Sequence, residues 1–181
     1  MKQTIVLNLY AGSGAGKSCL ASEIFVELKK QGESIELVNE YVKSWAWEGR
    51  DNRGLENNIY IFAKQLRRES ILYGKVDLVV TDCPLGLCPA YEAFHCPGQT
   101  VLWDLFKATR AQQVKEGRVK HLDFHLMRQH AFKQEGRYET EEEARRVDQL
   151  IRQMIPAHPV KTARDVLEVL VHCKRDTLTK I

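Results

Sequence analysis

Apolar residues open the chain in a short run, Ile5-Val6-Leu7 with Leu9. The run is long enough for a buried strand and too short for a helix. Past a glycine-rich interruption, Leu20, Ile24, Phe25 and Leu28 recur at helical spacing and predict an amphipathic helix. The same exchange of patterns repeats downstream. "SIELVNEY" reads as a second strand, "LENNIYIFAKQLRRESILYG" as a long helix and "VDLVVTD" as a very apolar third strand. Residues 83–98 are punctuated by Cys, Pro and Gly and read as an excursion. Then come a helix in "TVLWDLFKATRAQQVKEG", a fourth strand in "VKHLDFHLM" and a helix in "YETEEEARRVDQLIRQMI", with Thr140 and Glu143 spaced as a capping box. A short extended piece, "PAHPVK", precedes a last helix from about Thr162 to His172.

Strand–helix alternation of this kind predicts an α/β fold: a five-stranded, mostly parallel sheet covered by helices on both faces. Ligands in such sheets bind at the carboxyl ends of the strands, so the residues just after each strand are where chemistry is expected. The 181 residues suit a single domain spanning 1–181, with a small lid over 128–138 and an acceptor-side excursion over 83–104.

The interruption after the first strand is Ala11-Gly12-Ser13-Gly14-Ala15-Gly16-Lys17-Ser18, a phosphate-binding loop (Walker A) with Ala at its first position. Small residues let successive backbone N–H groups turn toward phosphate oxygens, and the following helix adds the positive end of its dipole. ATP is therefore the expected cofactor, held by Gly12 through Ser18 and by Cys19. Lys17 is placed on the β/γ-phosphates and the Ser18 hydroxyl on Mg²⁺. Asp82, closing the third strand, is the expected second member of the Mg²⁺ shell. Cys83 and Pro84 follow it where a water-activating Glu would stand in a motor-type ATPase, which disfavours hydrolysis and favours transfer.

Glu40 closes the second strand and is the candidate general base for an attacking hydroxyl. Tyr41 and Trp45, with Trp47 beyond, are candidates for stacking an acceptor base. Gln65 and Arg68, on the long helix, could read a base edge and hold a phosphate. Arg128 and Arg137, with Lys133 behind them, are the candidate lid cations for charge developing on the transferring phosphoryl. Cys83, Cys88, His95 and Cys96 lack compact zinc spacing, and His121 and His125 read as strand residues.

Composition changes little. A net charge of +3 is compatible with nucleic acid without arguing for it, and five cysteines read as free thiols. No apolar run of membrane-spanning length and no leader pattern appear, so no membrane partner is expected and the cytoplasm is the expected location.

Taken together, "AGSGAGKS", "VNEY", "AKQLRRE", "VVTDCPL" and "GRYETEEEA…VDQLI" resemble small P-loop kinases of bacteriophages, which are similar to nucleoside and nucleotide kinases. The resemblance runs to about Ile155, and only the phosphate loop is specific by itself. Phage kinases of this look include those that phosphorylate 5-hydroxymethyluracil within DNA. The resemblance thus implies transfer of the ATP γ-phosphoryl to a base-borne hydroxymethyl group, in hydroxymethylated DNA and in a host cytoplasm. It also implies that Glu40 or Asp82 serves as the acceptor-side carboxylate. A free nucleoside or nucleoside monophosphate acceptor, and a nucleotide-gated ATPase or binding module, are the alternatives. Oligomeric state is not legible.

Overall fold

The structure, a computed structural model, describes residues 2–178, with side chains described through Arg175. Met1 and residues 179–181 of the single domain read from the sequence lie outside the described residues. The elements run β1 (Thr4–Tyr10), α1 (Lys17–Lys30), β2 (Ile35–Val38), α2 (Lys43–Glu48), α3 (Leu55–Ser70) and β3 (Leu78–Thr81). They continue α4 (Leu87–His95), α5 (Val101–Lys115), β4 (Val119–Leu126), α6 (Glu141–Met154), β5 (His158–Val160) and α7 (Ala163–Leu178).

The sheet is parallel throughout, in the order β2-β3-β1-β4-β5. β1 is central and pairs on both sides, with Asn8 opposite Thr81 of β3 and Asp123 of β4. Both its faces are therefore covered, and alternate residues feed different cores. Leu7 and Leu9 pack with Leu20 and Ile24 of α1 and Val166 and Leu170 of α7. Tyr10 points the other way, into a core with Phe62, Leu102, Phe106, Val147 and Ile151.

Two helices lie where sequence patterning showed none. α2 has only six residues, too few for a helical period to register. α4 occupies the punctuated stretch, so much of the expected excursion is a buried helix. Its Pro89 falls in the first turn, where a backbone N–H has no intrahelical partner and proline costs little. The capping box at Thr140 is made in both directions. Glu143 N–H donates to Thr140 Oγ1 at 3.3 Å, and Thr140 N–H donates to Glu143 Oε2 at 2.8 Å. Among the described residues no helix is long and apolar enough to cross a membrane.

Candidate active site

The carboxyl ends of the central strands and the irregular β4–α6 segment enclose a cleft of about 220 Å³. One wall is the glycine-rich loop from Ser13 to Ser18, with Cys19. The opposite wall comes from β2, α3, β3 and α4 and includes Glu40, Asn58, Ile61, Cys83, Leu87 and Tyr91. Gly136 to Glu139 of the β4–α6 segment line the cleft as well.

The loop has the donors and the charge that a polyphosphate needs. α1 begins at Lys17 with no acidic residue in its first turn, so its N-terminal N–H groups and dipole are uncompensated. The Ser13 hydroxyl is buried with no hydrogen-bond partner among the described residues. Lys17 Nζ donates to two carbonyls of its own loop, Ala11 at 2.8 Å and Gly12 at 3.1 Å. These donors fit ATP, and the Ser18 hydroxyl on the wall and the buried Asp82 carboxylate are oxygen groups of the kind a Mg²⁺ ion takes.

Glu40 is a wall residue, and burial pushes its carboxyl above the ordinary value of 4.5. Lys17 and, more weakly, Lys43 pull it back, while Asp82 and Glu139 push it further up. Asp82 is buried beneath Glu40, with one oxygen accepting the Glu40 N–H at 2.9 Å. The acidic residues just beyond β2 and β3 are thus linked, Glu40 lining the cleft and Asp82 lying behind it.

The residues expected to grip the acceptor lie off the cleft wall and bond one another and the backbone. Gln65 is fully buried, and its Oε1 accepts the Tyr41 N–H at 3.0 Å, which fixes the turn after Glu40. Tyr41 meets Trp45 edge-on and donates its hydroxyl to Tyr60 at 3.3 Å. Trp45 is only 3% exposed, with the Arg50 guanidinium 3.9 Å from its ring centre, so it packs the segment and offers no free face. Arg68 donates to the Asn39 carbonyl at 3.1 Å and covers the Tyr41 ring. None of these four lines the cleft. Two aromatic side chains of this region stay exposed, Trp47 at 67% and Tyr60 at 44%.

The two arginines of the expected lid part company. Arg137 lines the cleft, its Nε donating to the Lys133 carbonyl at 2.7 Å and its guanidinium over Phe132. Phe132 in turn lies over the loop, Cδ2 being 2.7 Å from where a side chain on Gly14 would begin. Arg128 does not reach the cleft and is paired with Asp148 at 2.5 Å. Gly12 is also off the wall and gives its N–H to the same Asp148.

Several wall residues escaped sequence reasoning. Glu139 is buried, faces the cleft and raises the proton affinity of Glu40, Tyr91 and Tyr138. Its place two positions after Arg137 was the available signal. Asn58, Leu87, Cys88 and Tyr91 lie on helices whose inner faces only tertiary packing defines. Burial raises the Cys83 thiol well above its ordinary value and pushes Cys88 to about 12, so both are uncharged wall groups at neutral pH.

No family's sequence pattern matches the chain, and no curated protein matches it in sequence. Solved structures do. The chain is similar to thymidylate kinase from Ehrlichia chaffeensis, with a TM-score of 0.58 and 13% identity over 93% of this chain and 99% of that one. It is similar as well to thymidylate kinase from Candida albicans, with a TM-score of 0.60 and 14% identity over 97% of this chain and 92% of that one. At such identities the likeness establishes the P-loop kinase fold.

Proposed function

We propose that the chain is an ATP-dependent phosphotransferase acting on an acceptor of the nucleoside class, and that the reacting group of the acceptor is a hydroxyl. The observation that carries this reading is Glu40, a carboxylate on the wall opposite the phosphate loop, its proton affinity raised by burial. Bound Mg²⁺·ATP supplies the electrophilic γ-phosphoryl. Glu40 takes the proton from the attacking oxygen, and Lys17 and Arg137 balance charge on the phosphoryl side. Asp82 and Ser18 hold the metal.

The remainder of the acceptor wall supports an uncharged reacting group. Glu40 and Glu139 both face it, Cys83 and Cys88 are neutral, and Lys43 is the cation left once Lys17 and Arg137 serve the donor phosphates. A monophosphate acceptor would bring further negative charge against two carboxylates. The neighbours bear the name of thymidylate kinases, which supports a free acceptor of the nucleoside class over a polymer. The hydroxymethyl group of 5-hydroxymethyluracil in DNA is the second reading. It is favoured by the exposed Trp47 and Tyr60, on the two helices that also supply cleft residues.

ADP formation tests the proposal with a duplex containing 5-hydroxymethyluracil, the same duplex with thymine, free nucleosides and nucleoside monophosphates. Turnover that needs an acceptor and leaves a phosphate monoester on its hydroxyl supports it, whereas a phosphoanhydride on a monophosphate counts against the hydroxyl. ADP release independent of every acceptor would leave the ATPase or binding module standing and sink the kinase reading.

A further inference from the structure

Arg128 and α6 are the two ends from which the β4–α6 segment springs, and both meet the phosphate loop at one side chain. The Asp148 carboxylate accepts the Gly12 N–H on Oδ1 at 2.5 Å and the Arg128 Nε–H on Oδ2 at 2.5 Å. Both side chains of the ion pair are largely buried, at 11% and 13% exposure. The packing around this contact is close. A Cβ on Gly12 would lie 2.3 Å from the Ala144 carbonyl of α6 and 3.0 Å from Arg128 Nη2, so only glycine lets the helix approach the loop.

From this geometry we infer that Asp148 is a positioning residue. It fixes the entry of the phosphate loop and ties it to both ends of the segment that lines the cleft. The physical case rests on what each partner lacks without it. Gly12 N–H belongs to the turn out of β1, where no strand or helix partner is available. Arg128 is a largely buried cation whose ion pair among the described residues is with Asp148, and its Nη2 already has no hydrogen-bond partner among them. Removing the carboxylate therefore orphans a buried donor and strands a buried charge, both next to the loop. Because the same carboxylate holds Gly12 and Arg128, movement of the β4–α6 segment is transmitted to the loop backbone. Asp148 touches no reacting group, and its effect runs through the loop's shape.

The inference rests on the reading that the loop holds ATP, and the test separates the two. Hydrogen exchange of peptides covering residues 11–16 is measured in the ligand-free protein, for wild type, Asp148→Ala, Asp148→Asn and the exposed control Glu142→Ala on the same helix. The same proteins are titrated with ATP and assayed for kcat and for both KM values. We expect Asp148→Ala to speed exchange in the loop peptides and to weaken ATP binding by about tenfold or more, the effect of losing hydrogen bonds to a charged group. Acceptor KM should hold, and Asp148→Asn, which keeps one acceptor oxygen, should fall between. Glu142→Ala should match wild type. Unchanged loop exchange and unchanged ATP affinity in both Asp148 variants, with only the melting temperature lowered, would overturn the inference. Wild-type protein that fails to bind ATP would sink the ATP reading instead, while the exchange data still judge the tie. If Asp148→Ala does not fold, Asp148→Asn carries the comparison alone.

Discussion

Asp82 accepts the backbone N–H of Glu40 at 2.9 Å, so the residues just beyond the ends of two neighbouring strands are stitched into one acidic step at the cleft. The upper member faces the acceptor side, and the lower one is buried. Asp82 therefore has a second task besides metal binding, because it orients the loop that carries Glu40. Asp82→Ala should lower kcat through both tasks, and raising Mg²⁺ should restore only part of the loss. Full restoration by Mg²⁺ would show that the link to Glu40 is idle.

Glu40→Gln should cut transfer by about 10²–10⁴-fold if Glu40 takes the acceptor proton. The pH dependence has a definite sign. A base works only when ionised, and burial raises the Glu40 pKa above 4.5. The wild-type kcat/KM should therefore fall on the acid side at a pH above the ordinary carboxylate range. The residual activity of Glu40→Gln should lack that limb. A variant that keeps the wild-type acid limb would place the titrating base elsewhere.

Lys17→Ala should abolish turnover. The ammonium bridges Ala11 and Gly12 carbonyls in the loop and brings a full positive charge to the donor side. Near-normal kcat in this variant would refute the phosphate-loop assignment.

Gly136 and Trp47 make the contact between the β4–α6 segment and α2. The backbone at Gly136 has φ +68°, and a Cβ there would meet Trp47 Cζ2 at 2.4 Å. The Tyr138 hydroxyl adds a bond to the Arg50 carbonyl at 2.7 Å. Gly136→Ala carries a left-handed backbone penalty of about 1–2 kcal/mol, and the ring clash adds to it. It should raise acceptor KM. Adding Trp47→Ala should recover the steric part only, so the double variant should lose less than the two single losses combined. Strict additivity in acceptor KM would mean that the two residues do not communicate.

Away from the cleft, Glu69 is buried with one oxygen taking the Tyr73 hydroxyl at 3.1 Å and the other without a partner among the described residues. Burial raises its pKa from 4.5 to about 8, against the lowering pull of the Tyr73 bond and Arg110. Between those two values the folded chain holds a proton that the unfolded chain has lost, so the stabilising contribution present below 4.5 is lost as pH rises toward 8. His121, buried on β4 and lowered to about 3, acts in the opposite sense, with stability lost as pH falls below 6.5. Glu69→Gln keeps His121 and should flatten only the upper window in melting temperature against pH. Parallel curves for wild type and variant would show that Glu69 is not the group responsible.

Much of this architecture was legible because it is local. The phosphate loop announces itself by residue types between a strand and a helix, and the apolar runs of β1 and β3 mark the buried centre of the sheet. Glu40 and Asp82 could be placed at strand ends by the same logic. What stayed hidden depends on packing between distant segments. Trp45 and Trp47 are two residues apart in one short helix, yet one is core and the other solvent, which no period in six residues could reveal. Gln65 reads as a base reader because a glutamine amide can pair with a base edge, whereas its partner is a backbone N–H 24 positions earlier. Asp148 lies in a charged helix where an acid is unremarkable, and its function depends on Gly12, 136 positions away.

The most direct test of the central claim is the chemical form of the product, read by ³¹P NMR after incubation with Mg²⁺·ATP and the hydroxymethyl duplex, free nucleosides and nucleoside monophosphates together. The account predicts a phosphate monoester on a hydroxyl-bearing acceptor, appearing as ATP is converted to ADP. A new phosphoanhydride on a monophosphate, or inorganic phosphate with no phosphorylated acceptor, would contradict it.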